Sequence, residues 1–231
     1  MKPAELTRTT VAVALVLAAV LVVASVLLMP DFGDGHADWL RAIAADQGSA
    51  TISSVTFIAA QLFFVIGLLG VAHLLRARKP VLATVGAVLV ILGGFGHAVY
   101  GGVNLVMLTM AQDSAAIDLH AAVLQRVEGG VTIPFMAAGL LGTVLGFILL
   151  GVAVWRGGLG PRWVGPAMIV WVVIEFVGSG FSQWAAYASG ALYALVLGAL
   201  ALTVWQSSIS HWQTAAEVGA DTERRPERVG V

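Results

Sequence analysis

The sequence predicts an all-α fold: a polytopic membrane helix bundle of six transmembrane helices with short loops. Three observations carry that prediction. The chain of 231 residues is 59% hydrophobic and only 11% charged, where a soluble domain is about half apolar and about a quarter charged. Its apolar residues fall in runs of the length that bilayer hydrocarbon demands, about 20 residues at roughly 1.5 Å each. When those runs are threaded alternately, the Lys and Arg residues at their ends collect on one side.

The first span covers about 9–29 and stops at Pro30-Asp31. Lys2 and Arg8 precede it as in a signal peptide. The run is too long for an h-region and no A-x-A site follows, so an uncleaved helix is expected. The second covers 52–75 and ends at Arg76, Arg78 and Lys79, ahead of Pro80. The third covers 81–110, roughly 45 Å if fully helical, and has to tilt or project. The fourth covers 131–155, followed by a tight turn through Gly157, Gly158, Gly160 and Pro161. The apolar stretch from Trp163 to Trp205 holds two spans, 163–181 and 185–205, broken where Gly180, Ser182 and Gln183 interrupt it. Residues 1–206 thus form the transmembrane domain, and 207–231 a polar cytoplasmic tail expected to be disordered.

Alternate threading puts Lys2, Arg8, Arg76, Arg78, Lys79, Arg156 and Arg162 on one side, against Arg41 and Arg126 on the other. The first side is then cytoplasmic, with both termini inside the cell membrane. Asp31, Asp34, Asp38, Asp46, Asp113, Asp118 and Glu128 face outward. A five-span reading would put the tail outside.

Composition excludes several functions. The net charge of −1 gives no footprint for nucleic acid. The absence of cysteine excludes disulfides, thiolate metal sites and cysteine nucleophiles. There is no phosphate-binding Gly loop with Lys, no H-E-x-x-H and no G-x-S-x-G. No lysine lies in a span, so a retinal Schiff base is excluded. His73 falls near the inner face and His97 in the outer half, a poor pair for one haem. No cofactor and no metal is expected. The expected partners are the lipid bilayer itself and either a membrane protein or a lipophilic small molecule.

Leu68-Leu69-Gly70-Val71-Ala72 recurs as Leu149-Leu150-Gly151-Val152-Ala153, and in that register Pro80 falls on Pro161 and Phe95 on Phe176. This reads as a parallel duplication of the second and third helices as the fourth and fifth. Chance recurrence of the commonest letters in the chain is the alternative.

Ionisable groups inside spans are functional candidates by default, because charge in hydrocarbon is costly. Glu175 lies about 18 Å along its helix from Trp163, with Ser179 one turn further on. His97 shares a helix face with Gly93, Tyr100 and Asn104. Gln61 comes to a similar depth. Glu175 and His97 are the candidate catalytic residues, and Gln61, Tyr100, Asn104 and Ser179 the candidate binding residues. The same groups could instead be interhelical hydrogen-bond glue. The loop 31–38 is acidic and carries His36. Its spacing matches no calcium loop, so a solvated loop is expected. Trp39, Leu40 and Ile43, and separately Ile117, Leu124 and Val127, make apolar stripes on two short helices that would cap the bundle.

The segment from Leu62 to Asn104 combines the Leu68–Ala72 motif, Leu74-Leu75-Arg76, Pro80 and a Gly-rich helix with Gly96-His97. In this it resembles a group of uncharacterised six-helix integral membrane proteins of high-GC bacteria. The resemblance implies fold and topology and carries no activity.

Three functional readings follow. The lack of catalytic motifs favours a non-enzymatic accessory or small-ligand-binding protein. An intramembrane enzyme on a lipophilic substrate would use protonated Glu175 as general acid, in a pocket of Phe95, Trp171, Phe176, Phe181 and Trp184. A proton-coupled small-molecule transporter would use Glu175 and His97.

Overall fold

Helix starts and stops follow local chemistry. In the computed structural model, residues 2–31, 33 and 35–214 are described. Eight α-helices run through them: α1 (Pro3–Leu27), α2 (His36–Ala45), α3 (Gln47–Leu75), α4 (Pro80–Met110), α5 (Ile117–Glu128), α6 (Ile133–Gly157), α7 (Val164–Phe176) and α8 (Gln183–Gln206). No strand occurs among the described residues. The expectations for Asp34 and for the tail beyond 214 lie outside them.

Proline opens α1, α4 and α6, where its missing N–H is no loss. Asp46 caps α3 by accepting from the Ser49 amide at 3.1 Å. Hydrogen bonds from Ser49 hold the Asp46 carboxyl below the ordinary carboxylate range. Gly158 ends α6 in the left-handed region at φ +62°, a conformation that costs glycine nothing.

Helices α1, α3, α4, α6 and α8 are long and apolar enough to cross a membrane. The predicted fifth span is different. Helix α7 has 13 residues, continued only by a 3₁₀ turn over Gly178–Gly180. That helix is about 20 Å long, against a hydrocarbon core of about 30 Å.

These six helices form a closed ring. Each packs on its chain neighbours in the order α1, α3, α4, α6, α7, α8, and α8 closes back on α1. Every neighbouring pair is antiparallel. Thus Val11 meets Gly70 while Ser25 meets Ser53, and Val26 meets Gly190 while Arg8 meets Ser207. The two ends of the described chain therefore lie at the same end of the bundle, where Arg8 donates to the Ser207 carbonyl at 3.1 Å and its guanidinium sits 5.3 Å from the Trp205 ring centre. Arg78 joins α3 to α6 at this arginine-rich end, donating to the Gly157 carbonyl at 3.0 Å. Phe147 is fully buried at the centre, stacked on Phe64 and touching Trp171 and Tyr193.

The opposite, acidic end is capped by α2 and α5. Leu40, Ile43, Ile117 and Leu124 form a second core with Ala50, Met107 and Ala111 at the adjoining helix ends. His36 pairs with Glu128 at 2.8 Å, and Arg41 bridges Asp38 and Asp118.

The tightest seam joins α4 to α6. A Cβ added to Gly96 would lie 2.2 Å from the Gly139 nitrogen, and one added to Gly142 2.4 Å from the Gly93 nitrogen. Both obstacles are backbone, which cannot yield. Small residues of this kind let membrane helices approach closely, and dispersion then holds them. Gly96→Ala and Gly142→Ala are each expected to destabilise by about 1–3 kcal/mol, as overpacking does. Gly102→Ala, on the same helix with nothing near its Cβ position, is the neutral control. Thermal unfolding in detergent checks the contrast.

Candidate functional site

The α4–α6 seam fixes the first side chain of the site. His97 follows Gly96, and its Nδ1 lies 2.9 Å from the Gly93 carbonyl one turn back. A carbonyl only accepts, so Nδ1 carries the proton. Thr143 of α6 places its hydroxyl oxygen 3.2 Å from the same nitrogen as a second acceptor. In the neutral ring Nε2 is then a bare acceptor, and it has no hydrogen-bond partner among the described residues. Phe57 of α3 meets the imidazole edge-on, with ring centres 6.0 Å apart.

The second side chain comes from the α7–α8 hairpin. Glu175 sits in the last turn of α7, and its Oε2 accepts from the Ser189 hydroxyl of α8. Its backbone carbonyl accepts from the Ser179 hydroxyl. Oε1 has no hydrogen-bond partner among the described residues.

Both groups border open space. A cavity of about 570 Å³ is lined by Phe57, His97, Tyr100, Met136, Leu140 and Glu175, among others. Its origin lies in the length of α7. Helix α7 runs antiparallel to α6, with Gly165 against Gly151 and Trp171 against Phe147, and stops at Phe176 while α6 continues to Ile133. The uncovered face, Ile133, Met136, Ala137 and Leu140, has i, i+3, i+4, i+7 spacing and becomes the cavity wall. Glu128, held by His36, borders the same cavity from the cap. A deeper cavity of about 220 Å³ continues behind His97 and Glu175 to Gln61, Trp171, Ser189 and Tyr193. A third, of about 140 Å³, adjoins at Phe57 and Tyr100 and reaches Asn104.

The sequence candidates fall unevenly around these spaces. His97 and Glu175 border both larger cavities; Tyr100 borders the first, and Gln61 and Ser179 the deeper one. Gln61 turns its amide back to the Phe57 carbonyl at 3.1 Å. Asn104 lies on the third cavity, away from Glu175. Thr143 and Ser189 were missed, although they hold the two central groups. Ser189 was findable: it and Glu175 are equidistant from Ser182, the hairpin apex, as are Tyr193 and Trp171.

The expected aromatic pocket needs correction. Trp171 and Phe176 do border the deeper cavity. Phe95, Phe181 and Trp184 are 53%, 87% and 79% exposed and point away from it. Phe95 lies between Gly94 and Gly96, which face α3 and α6, so its side chain is turned outward. Phe181 and Trp184 flank the hairpin apex. His73 lies at the arginine-rich end, stacked on Trp212 and 2.8 Å from the His211 carbonyl. No group of three or more His, Asp or Glu side chains positioned to hold a metal occurs among the described residues.

Together these features define a class: an all-helical protein of the multi-pass membrane type, with polar groups gathered around cavities in one half of the bundle. No protein-family model, curated protein or solved structure matches the chain.

The Glu175–Ser189 bond ties α7 to α8 across the hairpin. Interhelical hydrogen bonds in membrane proteins contribute about 0.6–2 kcal/mol, and Ser189→Ala should lower stability by that order. Ser182→Ala, which removes an exposed hydroxyl making no cap bond, is expected to be neutral. Chemical or thermal unfolding in detergent separates the two.

Proposed function

We propose that this chain is an integral membrane protein of six spans that binds a small lipophilic molecule, as a non-enzymatic binding or accessory protein. One observation carries the reading: the 570 Å³ cavity has apolar walls from Phe57, Met136, Leu140 and Phe176, while His97 and Glu175 on its wall each keep one acceptor that no described residue engages. Ligand sites are concave, of about 300–1,000 Å³, mostly apolar, with a few polar groups that fix orientation.

In this reading α7 and its 3₁₀ turn make the fifth crossing. Both termini are cytoplasmic and the acidic cap faces outward. The contact of Arg8 with Ser207 supports an even number of crossings, and the bias of Lys and Arg supports the orientation. The recurrence at Leu149–Ala153 supports α6–α7 as a copy of α3–α4, with its second helix shortened. The resemblance to six-helix proteins of high-GC bacteria belongs to the same proposal.

Binding is favoured over turnover. The enzyme reading keeps only Trp171 and Phe176 of its five aromatic wall residues, and the transport reading rests on Glu175, His97 and the internal recurrence, none of which separates transport from binding.

Topology is testable without background, because the chain has no cysteine. Gln112→Cys and Gly130→Cys are expected to react with a membrane-impermeant maleimide on intact cells. Ala77→Cys and Ser210→Cys are expected to react only after lysis. Labelling of Ser210→Cys on intact cells would mean five crossings. For binding, native mass spectrometry of protein in mild detergent is expected to detect a one-to-one lipophilic adduct. Leu140→Trp, which fills the cavity, should abolish it. A wild-type protein with no adduct, or an adduct unaffected by Leu140→Trp, contradicts the reading.

A further inference from the structure

The cavity has a charge character that narrows the ligand. Its ionisable neighbours are Glu175 of α7, Glu128 of α5, His97 and Tyr100 of α4, and, in the deeper space, Tyr193 of α8. Among the described residues no lysine or arginine borders either space. Glu128 is already paired with His36, whereas the Glu175 carboxylate is bonded, among the described residues, only through Oε2 to a neutral hydroxyl. An anion would meet the Glu175 carboxylate with no lysine or arginine lining the cavity to offset it among the described residues. A neutral ligand could at most donate an O–H or N–H to Oε1 and would bring no charge to offset the carboxylate. An ammonium group answers both. Glu175 and His97 both line the two cavities, and an ammonium at their junction has N–H bonds to offer to each. Phe57 and Phe176 border both cavities, with Tyr100 on the wall of the first, and aromatic faces attract cations, more strongly where water is excluded.

Resting on the lipophilic-binder reading, we infer that the site takes a lipophilic amine in its protonated form. The ammonium sits between Glu175 and His97, and the hydrocarbon body lies along Met136, Leu140 and Ile133 of α6. The uncovered face of α6 makes room for the body, and the end of α7 supplies the charge.

The test uses the full chain in phosphatidylcholine nanodiscs, with empty nanodiscs as the partition reference. Dodecylammonium, dodecanol, dodecanoate and dodecyltrimethylammonium are compared by equilibrium dialysis at neutral pH. A charge-assisted hydrogen bond predicts that dodecylammonium binds at least about tenfold more tightly than dodecanol. Dodecanoate should bind weakest. The trimethylammonium probe, having no N–H, should fall below the primary amine. Glu175→Gln keeps the shape of the side chain and should bring the amine down to the level of the alcohol.

The inference is overturned if the alcohol or the carboxylate binds as well as the amine, or if Glu175→Gln leaves amine binding unchanged. The comparison among probes needs only the wild-type protein, so it stands even if the variant fails to fold. Saturable dodecanol binding with no amine preference would remove the amine and leave the lipophilic-binder reading intact. Absence of binding by all four probes above empty nanodiscs would remove both.

Discussion

The backbone contact between α4 and α6 is the constraint on which the rest of the bundle depends. Gly93, Gly96, Gly139 and Gly142 bring two main chains into contact with no side chain between them. Lipid tails are as apolar as leucine, so burial alone does not drive helices together in a bilayer. Close packing does. The same approach sets the site chemistry. With α6 against α4, Thr143 reaches the His97 nitrogen, and that nitrogen stays committed to the Gly93 carbonyl. The tautomer of His97 is set by the Gly93 carbonyl one turn back, and the close approach of α6 adds Thr143 to the same nitrogen.

The second determinant is the early end of α7. A full-length helix there would cover Ile133, Met136 and Leu140 and fill the space beside Glu175. The 3₁₀ turn at Gly178–Gly180 instead leads the chain into α8, and Ser189 meets Glu175 across the hairpin. A single local choice, the stop after Phe176, creates the cavity and presents its carboxylate.

Much of this was legible in the sequence, for periodic reasons. Apolar run length exposes helices, and Pro80 and Gly158 mark boundaries because their backbone chemistry is special. His97, Tyr100, Glu175, Gln61 and Ser179 were grouped by depth and helix face, and they border connected cavities because a straight helix preserves both. Direction across neighbouring helices was not legible. Phe95 was assigned to the pocket by depth, yet the glycines on either side turn it outward. The length of α7 was also hidden, since 163–181 is apolar throughout and hydropathy does not register where a helix unwinds. Thr143 became significant only once α6 was known to face α4.

The uncovered face of α6 also changes what affinity means. In the proposed reading that exposed face of α6 lies in the bilayer, so the ligand arrives already dissolved in hydrocarbon. Each methylene then contributes about 0.8 kcal/mol to partitioning before the protein is reached. Chain length is sorted by the solvent and the head group by the pocket. The protein needs little intrinsic affinity for the tail, and its discrimination rests on two acceptors, Glu175 and His97.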